Sequence, residues 1–279
     1  MVRPILEYGC IIFDNCSQSL SDSLESVQYE AARICLGALK RTPRHLMLNE
    51  LGWPTLAKRR QYFKLIMFYK IVNGQTPAYL SDLVPNYNVQ PTVQLRNRRS
   101  QRQIRFNSLR FGNSFIPSTI ELWNNLPDDI RQSVTLSQFK FSLKNTLLSV
   151  DPVPVYYSHG SRYFNIIHTR LRLGLSGLNS HLHRFNIIPS PVCKCLNPDE
   201  STRHFLLECP AYSAPRESLL KTVCYTLAPG VNPSLVVHLA SDILMRYLIH
   251  GNNDLPANLN IQIFDAVQKF IYDSRRFVF

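Results

Sequence analysis

Four residues carry the sharpest chemical signal in the sequence. They are Cys193, Cys195, His204 and Cys209, spaced as C-x-C-x8-H-x4-C. Zinc favours four tetrahedral ligands drawn from thiolate sulfur and imidazole nitrogen, and three cysteines with one histidine make a closed set. A closed set keeps no position for water, so the chemistry it implies is structural, not hydrolytic. The local sequence suits that role. Pro191 and Pro198 bracket a tight segment, Ser201 or Thr202 can cap a short helix carrying His204, Cys209 follows about a turn and a half later, and Pro210 ends it. The alternative is four unrelated residues, since cysteine is often simply buried and one intervening residue is tighter than the usual two between paired zinc ligands. His181 and His183 are spare nitrogen donors, although they also flank a helix that packs through Leu178, Leu182 and Phe185. The other cysteines, Cys10, Cys16, Cys35 and Cys224, read as small apolar residues on buried faces.

No second constellation argues for catalysis. The pair Asp128-Asp129 has the chemistry to hold two metal ions for phosphoryl transfer. It stands just before a helix beginning around Ile130, where acids suit the N-terminal dipole, and capping is the preferred reading. The chain lacks a phosphate-binding glycine loop, H-E-x-x-H and G-x-S-x-G. The expectation is a protein that is not an enzyme by itself.

The 279 residues carry 31 Lys+Arg against 19 Asp+Glu, a net charge of +12. That excess is confined to one stretch. Residues 40–110 hold 14 basic and two acidic residues, and the remainder is balanced at 17 against 17. A basic surface of this kind points to an anionic partner, nucleic acid first. The candidate contacts are Lys58, Arg59, Arg60 and Lys64 on one helix, read as lying off its apolar stripe and free to meet phosphate, and Arg96, Arg98, Arg99, Arg102, Arg105 and Arg110 in a polar loop. Phe106 and Phe111 stand among the latter, offering rings for stacking on bases. The alternative is a solvated charged face.

Hydrophobic residues make up 45% of the chain, enough for packed cores. The longest apolar run near the basic window, Leu65 to Tyr69, is broken by Lys64 and Lys70 and falls short of a membrane span. Without a secretory signal at Met1-Val2-Arg3-Pro4, and with an odd number of cysteines, seven, a reducing intracellular setting is expected, nuclear or cytoplasmic. Apolar spacing of three and four predicts helices over 21–36 (Leu24, Val27, Ala31, Ile34 and Cys35 inward, Asp22 and Glu25 as a capping box), from Pro43, and from Pro54 to Gly74 (Leu56, Phe63, Ile66, Met67 and Ile71 inward). Further helices are expected over 114–125, 137–148, 166–175, 178–185, 212–227, 234–249 and 259–276, and hairpin signals are absent. The fold class is therefore mostly α in two helical parts, the second with a small Cys/His zinc knuckle. The expected parts are a basic region 1–149, a Pro/Gly linker 150–163, and a C-terminal domain 164–279 with the knuckle at 193–209.

Nine stretches stand in order along the chain: Val2-Arg3-Pro4-Ile5-Leu6-Glu7-Tyr8-Gly9, Val27-Gln28-Tyr29-Glu30-Ala31-Ala32-Arg33, Leu51-Gly52-Trp53-Pro54-Thr55-Leu56, Tyr69-Lys70-Ile71-Val72-Asn73-Gly74, Pro77-Ala78-Tyr79-Leu80, Ser114-Phe115-Ile116-Pro117, Trp123-Asn124-Asn125-Leu126-Pro127, Leu171-Arg172-Leu173-Gly174 and Cys209-Pro210-Ala211-Tyr212. Together they resemble the C-terminal part of a non-LTR (LINE-type, jockey/CR1-like) retrotransposon reverse transcriptase polyprotein. The resemblance implies a zinc knuckle at the Cys/His set and binding of RNA template or target DNA. It places Arg3 to Tyr8 downstream of a polymerase core, so Met1 reads as an internal start. The family's polymerase site is an aromatic residue, any residue, then Asp-Asp. Here Leu126 stands two before Asp128, so palm and endonuclease are both missing from this chain. The expected function is a non-catalytic nucleic-acid-binding fragment of an RNA-directed DNA polymerase. The alternatives are an interaction module docking on a polymerase core in another chain, and a degenerate fragment without function.

Overall fold

The computed structural model describes residues 3–85, 101–227 and 241–277. Within them the chain is mostly helical and contains no strand. The helices are α1 (Arg3–Glu7), α2 (Cys10–Phe13), α3 (Gln18–Leu36), α4 (Arg44–Leu51), α5 (Leu56–Val72), α6 (Ala78–Ser81), α7 (Leu109–Gly112), α8 (Phe115–Asn124), α9 (Asp128–Arg131), α10 (Leu136–Leu147), α11 (Arg162–Arg172), α12 (Asn179–Arg184), α13 (Ser213–Leu227), α14 (Ser241–His250) and α15 (Ala257–Ser274). No described helix is long and apolar enough to cross a membrane. Packing divides the chain into two units, Met1–Ala31 with Gly52–Asp151, and Ala32–Leu51 with Pro152–Phe279.

In the first unit α5 packs against α8 and α10. The core is aromatic: Tyr69 stacks on Phe139 at 4.5 Å between centroids, and Trp123 meets Phe68 and Phe139 at 5.3 and 5.7 Å. The buried Tyr69 hydroxyl donates to the Ser133 carbonyl at 3.0 Å. This core corrects the apolar stripe expected for α5. Leu56 and Ile71 are buried as expected, but the rest of the buried face is Arg60, Lys64, Leu65, Phe68 and Tyr69, while Phe63, Ile66 and Met67 are only half-buried. The physical reason is that α5 is covered on a second side by α2, so a single-stripe pattern misassigns it. Asp14, which closes α2, supplies the counter-charge that lets two cations enter.

The inward face of α3 also differs from expectation. Glu25, Gln28 and Ala32 are buried, while Val27, Ile34 and Cys35 are exposed. The polar residues face inward because the turn into α5 has backbone groups that need partners. Glu25 Oε1 accepts from the Ala57 amide at 2.9 Å, and Gln28 Nε2 donates to the Pro54 carbonyl at 2.9 Å. Glu25 thus caps α5, together with Thr55 Oγ1, which accepts from the Lys58 amide, and takes no part in a box at the start of α3. Helix α3 begins four residues before Asp22, behind Ser17.

In the second unit α15 is central, packed by α11, α13 and α14 and by the 3-10 turn Val155–Ser158. Of the residues expected to be linker, 150–163, those from Pro152 onward belong to this unit: Tyr156 is buried and meets Phe264 edge-on at 5.1 Å. Residues 32–51, expected in the first part, belong here as well. Three arginines of α11 hold them. Arg162 donates to the carbonyls of Ile34 and Cys35, Arg170 to that of Gly37 at 2.7 Å, and Arg172 to Glu50 at 2.6 Å. Local sequence has no signal for such long-range pairings.

Candidate metal centre

The ligand atoms of Cys193, Cys195, His204 and Cys209 all lie within 4.8 Å of one another. A tetrahedron with zinc–sulfur bonds of about 2.3 Å has edges of about 3.8 Å. Cys193 Sγ and Cys209 Sγ are 3.7 Å apart, and Cys195 Sγ is 3.2 Å from His204 Nε2. The cysteines are free thiols, and 3.7 Å is far beyond a disulfide. The residues present therefore fit a closed set of three sulfurs and one nitrogen around one ion. The distances are those of a shared centre, not of four scattered buried residues.

Two local devices converge on this point. The first is a tight turn in which Leu196 N donates to Cys193 O and Cys193 N to Asn197 O, both at 2.9 Å. It requires Leu196 at φ 69°, a left-handed conformation, and leaves its side chain 85% exposed. The second is a π-helical turn, His204–Glu208, closed by Cys209 N donating to His204 O at 2.7 Å. In an α-helix Cys209 would stand about 140° around the axis from His204. The wider i to i+5 turn brings it back toward the same face, and such turns recur at functional sites. Ser201 is the cap, its Oγ accepting from the His204 amide at 3.2 Å.

Burial raises the thiols of Cys193 and Cys209, the latter up to about 12, while the Asn197 amide directed at Cys195 lowers that one. A metal bound here would displace protons from the buried pair. His204 Nδ1 is buried and makes no hydrogen bond; Glu208 Oε2 stands 3.7 Å away. His181 is excluded as a donor at this centre, because its Nδ1 accepts from the Ser176 amide at 3.0 Å, and His183 is exposed.

Sequence reasoning missed the surroundings of the centre. Glu200 is 1% exposed; its Oε1 lies 3.9 Å from Cys193 Sγ, and its Oε2 accepts from the Asn179 amide at 2.7 Å. Arg276 closes a fork on the same carboxylate, Nε to Oε1 at 2.7 Å and an η-nitrogen to Oε2 at 2.6 Å. Hydrogen bonds from this pair hold the Glu200 carboxyl below the ordinary value against the opposing effect of burial. Arg216 donates to the Leu206 and Cys209 carbonyls at 2.9 and 2.6 Å. No spacing rule reaches from Cys193 to Arg276, so only the fold identifies these residues.

The basic residues separate into two groups. Arg59 pairs with Glu7, while Arg60 and Lys64 share Asp14 at 3.1 and 2.7 Å, and Lys64 also reaches Ser118 Oγ. Arg60 and Lys64 are 6% and 3% exposed, which corrects their expected freedom to meet phosphate. The acids that meet them, Glu7 and Asp14, come from outside the basic window. Lys58 is exposed. Arg102, Arg105 and Arg110 are exposed and form no ion pair among the described residues. Phe106 and Phe111 beside them are each 48% exposed. The segment is anchored at one end by Asn124, which exchanges two 2.8 Å hydrogen bonds with the Gln101 backbone. At the other end the Phe106 ring lies on Gly112, so closely that a Cβ there would stand 2.5 Å from it. Arg96, Arg98 and Arg99 lie outside the described residues.

Comparison with protein-family models, curated proteins and solved structures gave no match.

Proposed function

We propose that the chain is a non-catalytic nucleic-acid-binding fragment of LINE-type RNA-directed DNA polymerase origin, binding RNA template or target DNA, with zinc as the ion of its Cys/His centre. One observation carries the binding reading. Residues 101–112 present three exposed arginines, without an ion pair among the described residues, interleaved with two half-exposed aromatic rings, on a segment tied down at both ends. Arginine meets phosphate without regard to sequence, and rings accept any base, so the expected ligand is single-stranded nucleic acid bound with little base preference. The retrotransposon origin rests on the ordered stretches from Val2 to Tyr212 described above. Zinc is supported by the donor set, since three thiolates and an imidazole select a borderline-soft ion with tetrahedral preference.

Fluorescence anisotropy with a labelled single-stranded RNA tests the binding reading. Affinity is expected to fall at least tenfold between about 50 and 200 mM salt. Absence of binding at the lower salt overturns it. Favouring a second reading, an interaction module, are the exposed apolar residues Ile5, Tyr8 and Ile12 on and beside α1 and α2. Failure to bind RNA, together with capture of a polymerase core fragment, would select that reading.

A further inference from the structure

The carboxylate of Glu200 stands between a metal-ligating sulfur and a guanidinium. Its Oε1 is 3.9 Å from Cys193 Sγ and 2.7 Å from Arg276 Nε. A carboxylate so buried beside a ligand that must become a thiolate is, alone, unfavourable to metal binding, because two like charges would face each other in a low-dielectric site. Arg276 covers that carboxylate with both arms of its fork, and it also donates to the Gly177 carbonyl and Asn179 Oδ1. The chain is built to bring it there. Helix α15 ends at Arg275 in the left-handed conformation, φ 50°, which reverses the backbone. Phe277 then packs edge-on against Phe205 at 5.4 Å, and Tyr163 donates to the Phe277 carbonyl. On the other side Arg216 donates to the carbonyl of the ligand Cys209 at 2.6 Å.

Three thiolates, a neutral imidazole and a divalent ion sum to a net charge of −1, and Glu200 adds another. Arg276 and Arg216 supply two positive charges that offset these two, and Glu208 beside His204 is itself paired with Arg203 at 3.2 Å.

We propose that Arg276, seated on Glu200, is a positioning and charge-balancing residue of the metal centre, so that the C-terminal turn of the chain is part of what makes the site bind its ion. Glu200 thereby links the loop that carries Cys193 and Cys195 to the start of α12 through Asn179 and to the C-terminal turn through Arg276. Partners of this kind typically govern metal affinity by about 10- to 100-fold when removed. This inference rests on the Cys/His set binding a metal, and the test separates the two.

The whole chain is titrated anaerobically with Co2+, whose thiolate charge-transfer and ligand-field bands report a tetrahedral site, and Zn2+ affinity is read by competition. The wild type is expected to take one ion. Arg276→Met is expected to weaken Zn2+ binding about 10- to 100-fold. Adding Glu200→Gln to Arg276→Met is expected to recover much of that loss, because it removes the uncovered charge. A purely scaffolding pair would lose more affinity in the double variant. Arg276→Met binding as tightly as wild type, or a double variant binding no better than the single one, overturns the proposal. Should Arg276→Met fail to fold by circular dichroism, Arg276→Lys, which keeps the charge without the fork, is expected to lose a few-fold in affinity, and unchanged affinity in it also overturns the proposal. A wild type that takes no Co2+ or Zn2+ overturns the metal reading itself and this inference with it.

Discussion

Nε2 of His204 lies 3.2 Å from Sγ of Cys195, while Nδ1 on the far side of the ring is buried without a hydrogen bond, 3.7 Å from Glu208 Oε2. For an ion held by this set, that arrangement makes Nε2 the ligating nitrogen. It also leaves Glu208 placed to orient the ring from behind, as carboxylates often do for metal-bound histidine. His204→Ala and Cys195→Ser are each expected to abolish stoichiometric zinc, measured by elemental analysis of the purified chain, while Glu208→Gln lowers affinity without abolishing it.

Metal uptake must displace thiol protons, since burial raises Cys193 and holds Cys209 at about 12 without an ion. Loading near neutral pH is expected to release about two to three protons per ion, so that affinity climbs with pH. Calorimetry in buffers of different ionisation enthalpy counts them. A count of zero would mean that the sulfurs are not ligands.

The turn at Leu196 holds a branched side chain in the left-handed region, where the strain is roughly 1 kcal/mol or more. Because that side chain is 85% exposed, nothing of its packing is lost on removal. Leu196→Gly is expected to stabilise the loaded protein by about 0.5 to 1 kcal/mol, a shift legible in the thermal midpoint. A lower midpoint would argue against this turn geometry.

In the first unit, Asp14 is the one carboxylate among the described residues that pairs with Arg60 and Lys64 at the buried face of α5. Asp14→Asn leaves two buried cations without their counter-charge and is expected to cost about 3 to 5 kcal/mol in urea unfolding. Lys64→Met keeps the Asp14–Arg60 pair and should cost less. Equal costs would show that the two cations do not share one carboxylate.

His168 is buried, within hydrogen-bonding distance of the Leu248 carbonyl, and burial together with Arg172 depresses it to about 3; burial likewise lowers His181 to about 4. Both are neutral in the folded chain and would charge on unfolding below about 6.5. Their contribution to stability is therefore whole above that pH and is lost as the pH falls from 6.5 toward 3, at about 1.4 kcal/mol per unit for each. Urea midpoints taken from pH 7 to 4 with a chelator present should fall, and His168→Gln should flatten the decline.

For nucleic acid, Arg102→Ala, Arg105→Ala and Arg110→Ala combined should reduce the slope of log affinity against log salt by about 2 on a single strand. Phe106→Ala should weaken binding with the slope unchanged. An unaltered slope in the triple variant would move the interface elsewhere.

Much of the helical content was written in local pattern, because a helix needs only neighbours three and four residues away. Helices beginning one residue after Pro43 and two after Pro54, the aligned Phe139 and Leu143, and the four residues of the Cys/His set could be read without a fold to within that margin. So could the charge excess of residues 40–110. What those charges face was decided by tertiary structure: Glu7 and Asp14 return from outside the window to neutralise Arg59, Arg60 and Lys64, leaving Arg102, Arg105 and Arg110 exposed. Likewise, spacing named the four Cys/His residues, but the π-helical turn that swings Cys209 toward His204 has no signal in it, and the carboxylate and guanidinium behind Cys193 are brought there from far along the chain. Ion pairing and desolvation depend on distance in space, and one-dimensional spacing carries that distance only within a helix turn.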